Sequence, residues 1–245
     1  SPENPIVIGA GTLVGLTPGA AKISCTTKLA LPSTADHRHC VTTAMSGSRG
    51  FGHMMKRAGF DHIVITGSAK APVYLEIIDD EVKLRDAGSL WGEKDIYETT
   101  DALREEYGRC GVIAIGRAGE NLCRFSMAIT DKKSTLGRSG VGAVMGAKSL
   151  KAIVVKGTRE IKVGDRQRLK ELVLRIQEKY RTEVKPLGDF SDLEWKMMVK
   201  ENMNPGVWSK AQWDALYGEE KYKPIKENIS CTSCWIGCGD SLEIK

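Results

Sequence analysis

The chain has 245 residues, 41% of them hydrophobic and 27% charged, with a formal net charge of +5 and an isoelectric point near 8.8. That is enough apolar material for one sizeable core, or for a core plus a second piece. Lys and Arg are scattered among Asp and Glu with no long run of like charge, which argues against a nucleic-acid groove. No apolar run approaches the ~20 residues of a membrane span, and no secretory signal is visible. The chain opens on Ser1 rather than Met, so an upstream segment is expected.

In chain order, Ile6-Val7-Ile8, Ile63-Val64-Ile65, Val73 to Ile77, Val112 to Ile115 and Ile153-Val154-Val155 are short β-branched runs bounded by Gly, Pro or Asp, and read as strands. Tyr74 to Leu84 reads as a hairpin turning at Asp79-Asp80, and Thr99 to Tyr107 as a short amphipathic helix. After Gly164 the texture changes. Asp165 can cap a helix running to about Tyr180, with Leu169, Leu172, Val173 and Ile176 on one face. Helix-like pieces continue to about Tyr222, and Pro224 leads into a cysteine-rich end. The expectation is an α+β chain: a β-rich domain over 1–160, then the start of a helical domain over 161–245.

The segments FGHMMKRAGFDHIVITG (51–67) and VGAVMGAKSLKAIVVKG (141–157) align without a gap at an offset of ninety residues. Gly52 falls on Gly142, Met55 on Met145 and Gly67 on Gly157; upstream, Gly47 falls on Gly137 and Gly50 on Gly140. A glycine-rich loop, a short helix and a strand therefore occur twice, which predicts a pseudo-two-fold arrangement with two similar loops facing one site. A glycine-rich turn opening a helix offers unpaired N–H groups and a positive dipole end, suited to an anionic cofactor group. Arg49 and Arg138 in the loops, with Lys56 and Lys148 in the helices after them, add charge. PIVIGAGTLVG imitates a dinucleotide fingerprint, but Leu16-Thr17-Pro18-Gly19 interrupts the place where its helix should run.

Seven cysteines are an odd number, and Cys231, Cys234 and Cys238 stand at C-x2-C-x3-C spacing. This favours reduced thiols in a cytosol, serving as metal ligands, over a disulfide scaffold. Spacing alone leaves zinc and an iron–sulfur cluster both open, and either needs a fourth ligand. Cys110 and Cys123, in apolar stretches, read as packing residues.

SPEN at the start, AGFDHIVITGSAKAPVYLEI, RDAGSLWG, IGRAGENLCRFSMAI, GRSGVGAVMGAKSLKAIVVKG and CTSCWIGCG occur in the order found in the tungsten-containing aldehyde:ferredoxin oxidoreductase family. The resemblance covers nearly the whole chain, and AGENL with GVGAVMGAKSLKAI carries most of its specificity. It implies a β-rich base holding a tungsten (or molybdenum) bis-pterin, with helical domains closing over it. It also implies that the two loops, at Ser46, Gly47 and Ser48 and at Ser134, Thr135, Leu136 and Gly137, hold the pterins. An Mg2+ would bridge the pterin phosphates through backbone carbonyls. Cys231, Cys234 and Cys238 would be three ligands of a [4Fe–4S] cluster whose fourth comes from far downstream. The chain is then expected to be cut at both ends.

Three departures from the family pattern stand out. Lys22 replaces an arginine placed between cofactor and cluster, keeping the charge but losing the planar fork. Ser46 sits where asparagine is frequent. LALPSTADHRHC carries extra residues, among which His37, His39 and Cys40 read as an exposed polar loop or, alternatively, as metal ligands or an acid–base pair. The resemblance implies a cytoplasmic enzyme, compatible with a homo-oligomer, that oxidises aldehydes and passes electrons to ferredoxin. The catalytic acid–base residue would lie beyond the chain. The metal-bearing subunit of benzoyl-coenzyme A reductases shares the first domain and is one alternative. A non-catalytic fragment that binds zinc or another metal, or serves as a scaffold, is another.

Overall fold

The computed structural model describes residues 3–30, 40–47, 50–137, 140–183, 222–229 and 239–244. The first compact unit runs to Lys162 and the second begins at Val163. In the first, β1 (Ile6–Ala10), β2 (Ile23–Lys28), β3 (Val41–Ser46) and β4 (His62–Ile65) form an antiparallel sheet in the order β3-β2-β1-β4. Alternation explains which face is covered: Ile6, Ile8, Ile23, Cys25, Ala44 and Ile63 are buried, while Val41, Met45 and Val64 between them are exposed. Helix α1 (Phe51–Ala58) links β3 to β4 and ends at Gly59, whose φ of 99° suits only glycine well.

A six-stranded sheet follows. It contains β5 (Val73–Ile78), β6 (Glu81–Asp86), β7 (Gly111–Ile115), β8 (Ala128–Thr130), β9 (Ser134–Thr135) and β10 (Leu150–Lys156), in the order β6-β5-β10-β7-β8-β9. The β5–β10 pairing is parallel and the others antiparallel. The expected hairpin turns at Asp79-Asp80, with Asp79 in the left-handed region at φ 49°. Helix α2 (Ile96–Tyr107) starts three residues earlier than its apolar pattern suggests. Asp95 accepts from the Glu98 amide at 2.8 Å and Glu98 accepts from the Asp95 amide at 2.8 Å, a reciprocal cap. Two short helices, α3 (Arg117–Glu120) and α4 (Val141–Gly146), complete the unit.

Strands β7 and β10 are apolar on both faces because both are covered. Ile113, Ile115, Ile153 and Val155 join the first sheet and α1 in one core, while Val112, Ala114, Ala152 and Val154 pack with Leu103 and Tyr107 of α2 in another. Helices α3 and α4 come so close that a Cβ on Gly146 would fall 2.0 Å from the Gly119 carbonyl oxygen. Lys151, fully buried on β10, pairs with Glu120 of α3 and donates to the Lys94 carbonyl at 2.7 Å. Glu120 also accepts from the Gly92 amide at 2.9 Å, so the glutamate of AGENL is part of the scaffold.

The repeat is realised as β3–α1–β4 and β9–α4–β10, each with a loop before its helix. Its strands land in different sheets, β4 at an edge and β10 in a centre. Where the dinucleotide decoy would need a helix, β1 runs into turns over 12–19. No helix of the described residues is long and apolar enough to cross a membrane.

In the second unit, helix α5 (Arg166–Glu183) opens on Asp165, whose Oδ1 accepts from the Arg168 amide at 2.9 Å. Beyond the point where the helix-like pattern ends, near Tyr222, stand β11 (Tyr222–Ile229) and β12 (Gly239–Ile244), an antiparallel pair on either side of the cysteine motif. Pro224 lies within β11, opposite Leu242. A proline is tolerated in a two-stranded sheet because each strand is an edge, where a missing N–H need not break a pair.

Glu76, buried on β5, receives the Arg85 fork at 3.0 Å through both oxygens and the Tyr107 hydroxyl at 2.5 Å. Burial alone would raise its carboxyl, but these partners outweigh it and hold the group below the ordinary range. A depressed folded-state value means that the unfolded chain takes up the proton first as pH falls. The stabilisation is therefore complete above about pH 4.3 and lost below it. Glu76→Gln is expected to lower stability at pH 7 and to shrink the loss between pH 7 and pH 3, as read by urea unfolding at both pH values. An identical acid loss in the variant would contradict this assignment.

Candidate cofactor site

The two loops of the repeat meet. Ser46 ends β3 with its hydroxyl buried, 3.0 Å from the Gly47 carbonyl oxygen and 3.1 Å from the Thr130 hydroxyl of β8. Thr130 in turn pairs with Ser134 of β9, and the Leu136 amide donates to the Ala128 carbonyl at 2.9 Å. Gly137 follows at φ 63°, and a Cβ there would lie 3.4 Å from that of Ala44 on β3. Lys22 is exposed and stands one residue before the Ile23–Ser46 pair, so the register brings it level with Gly47. Lys22, Ser46, Gly47, Ser134, Thr135, Leu136 and Gly137 are thus gathered at one end of adjoining sheets.

The side chains of Ser46 and Leu136 are spent inward, at 1% and 0% exposure, while Thr135 is exposed and Gly137 half-buried. What these loops can offer a ligand is mostly main chain. That fits carbonyl ligation of a magnesium ion and close approach to a flat organic group, neither of which needs a particular side chain. Ser48, Arg49, Arg138, His37, His39, Cys231, Cys234 and Cys238 lie outside the described residues.

The anion-cradle reading needs correcting at α1. The amides of Gly50 and Phe51 already donate to Asp131 Oδ2 at 3.0 and 2.9 Å. Asp131 Oδ1 accepts from the Val112 amide at 2.9 Å and from Arg104 Nη2 at 3.0 Å, and the Asp131 amide donates to the Val112 carbonyl at 2.8 Å. The carboxylate is fully buried, in the β8–β9 turn, and its residue adopts φ 52°. It caps a helix some eighty residues earlier, taking the place at the positive dipole end that a ligand phosphate would otherwise occupy. At α4 the Gly142 amide is likewise engaged, by the Ser126 carbonyl at 3.1 Å.

Two of the expected charges are also diverted. Lys56 pairs with Asp61, and Lys148, at 2% exposure, donates to the Gly67 carbonyl at 2.9 Å. Burial lowers the Lys148 ammonium below its ordinary pKa. Cys25 and Cys110 are buried, which pushes their thiols up to about 12 and about 11, the range of inert packing groups. Cys123 is half-buried and Cys40 exposed. Among the described residues no three His, Cys, Asp or Glu side chains converge as a metal site would require.

Residues 1–157 match the family model described as aldehyde ferredoxin oxidoreductase, N-terminal domain. The chain belongs to the aldehyde ferredoxin oxidoreductase family. It is 35% identical over 253 aligned positions to a tungsten-containing aldehyde ferredoxin oxidoreductase of Pyrococcus furiosus, covering 98% of this chain and 40% of that protein. The corresponding protein of Thermococcus kodakarensis is 35% identical over 250 positions, covering 97% and 40%. The chain thus spans 40% of the length of these family members. Among solved structures, the active-site complex of a benzoyl coenzyme A reductase bound to 1,5-dienoyl-CoA matches all of this chain and 40% of its own, with a TM-score of 0.79 and 27% identity.

Sequence reasoning missed Asp131. One local signal pointed to it: α1 opens on Gly50, which has no capping side chain, so its cap had to come from elsewhere. Asp131→Asn replaces an acceptor-only group by one that presents N–H toward N–H. It is expected to cost about 3 kcal/mol and to speed hydrogen exchange at the Gly50, Phe51 and Val112 amides beyond the global change. Unchanged protection at those amides would contradict the capping role.

Proposed function

We propose that the complete protein is an oxidoreductase of the cytoplasm that converts aldehydes to carboxylic acids. In this reading Gly47 and Gly137, with Ser46, Ser48, Ser134, Thr135 and Leu136, hold a tungsten (or molybdenum) bis-pterin and a magnesium ion bridging its phosphates. Lys22 supplies a positive charge beside it. Cys231, Cys234 and Cys238 ligate a [4Fe–4S] cluster with one further ligand from outside this chain, and ferredoxin accepts the electrons. The observation that carries the reading is the meeting of the two loops: Gly137 packs against Ala44, and Ser46 lies within hydrogen-bond distance of Thr130. The names of the 35%-identical proteins supply the metal, the substrate class and the electron partner.

When bound, the cofactor supplies two-electron chemistry, by which an aldehyde and water become a carboxylic acid, two electrons and two protons. This chain's share is to orient the group through main-chain contacts, to exclude water with the apolar core beneath Leu136 and Ala44, and to tune the centre with the Lys22 charge. A lysine is a point charge and cannot bridge cofactor and cluster with a planar fork as an arginine can.

A second reading, the metal-bearing subunit of a benzoyl-CoA reductase-like enzyme, is favoured by the match of all of this chain to such a complex. One preparation separates the readings. The complete protein, expressed without oxygen, is expected to contain tungsten or molybdenum together with iron, and to reduce viologen when given aldehydes. Turnover with an aromatic acyl-CoA but not with aldehydes would favour the second reading. Zinc as the sole metal would remove both.

A further inference from the structure

Beside α1, touching the first loop only at Gly50, lies an open cleft of about 190 Å³. Its lining combines Gly50, His53 and Met54 at α1 with Arg104 of α2 and with Gly108, Arg109 and Cys110 from the turn into β7. Two arginines and a histidine thus line a space several times a water's share of about 30 Å³, and among the described residues the lining includes no carboxylate, Asp131 standing behind it on Arg104 and the Gly50 amide. We propose that this cleft binds a small phosphoryl dianion, with Arg104 and Arg109 as its cationic wall and His53 as a further partner.

Three features support this assignment. Arg104 gives one nitrogen to Asp131, and a guanidinium has five N–H donors, so its fork is not exhausted. Holding Arg104 on a buried carboxylate also fixes its direction, which lowers the entropy lost when it receives an anion. Met54 and Cys110 are buried and give the cleft an apolar floor, where charge-assisted bonds are less screened than on an open surface. The His53 ring reports the local field. Its Nδ1 is buried with no hydrogen-bond partner among the described residues, and its pKa is lowered, first by burial and then by the positive charges of Arg57 and Arg109. An anion in the cleft would reverse that positive contribution.

The shared chemistry is a tetrahedral oxyanion, free or carried on a small organic molecule. The test titrates the full chain at low ionic strength with inorganic phosphate and with glycerol phosphate, following heat and the His53 ring resonances. Saturable binding with a rise in the His53 pKa is expected. Arg109 is exposed, and Arg109→Ala is expected to weaken binding by at least about tenfold, the loss of one charge-assisted partner, without altering the fold. Equal affinity for the two probes would identify a free-ion site. Clear preference for the ester would identify a phosphorylated ligand. No saturation at concentrations on the order of 10 mM, binding unchanged by Arg109→Ala, or binding that leaves His53 unmoved would each overturn the proposal.

Discussion

One buried carboxylate holds this domain's two halves in register. Asp131 sits in the turn between β8 and β9, just before the second loop, and caps α1, just after the first. A helix that opens on glycine carries no cap of its own, and its first amides would be costly to bury unpaired. A buried carboxylate is costly too unless its oxygens are filled. Each deficit offsets the other, and Arg104 and the Val112 amide bond to the same carboxylate. The two loops are therefore not independent surface segments, since moving either one strips partners from the other.

That arrangement changes what the loops can do. With the α1 dipole end occupied and Lys56 and Lys148 engaged elsewhere, the described part of the loops presents backbone and glycine rather than a dense positive cradle. A rigid, shape-defined shelf suits a large flat cofactor whose own metal ions balance its phosphates. The charged residues inside the fold serve the shelf: Lys151 with Glu120 fixes α3 against β10, and Glu76 with Arg85 and Tyr107 closes the far edge of the same sheet.

The apolar runs made β1, β4, β5, β7 and β10 legible, because each is covered on at least one face and reads as period two or as a continuous run. ISCTTK and VTTAMS carry no clear strand signal. Their outward positions carry Ser, Thr and Met, so alternation is weak and only pairing, of β2 with β1 and of β3 with β2, decides the matter. The repeat was visible as an ungapped alignment, yet nothing in it said that its strands would join different sheets. The nearness of the β3 end to the second loop, with Ser46 beside Thr130 and Gly137 beside Ala44, is what that repeat and the family resemblance lead one to expect. The capping role of Asp131 is not, because it depends on a contact between residues eighty apart. AGENL and SLKAI were legible as family signatures, but their Glu120–Lys151 pair is architectural.

Crystals of the complete protein, measured at a tungsten absorption edge, test the central claim most directly. The account predicts an anomalous peak in the space flanked by Gly47 and Gly137, on the side where Lys22 stands. A metal peak remote from both loops would contradict it.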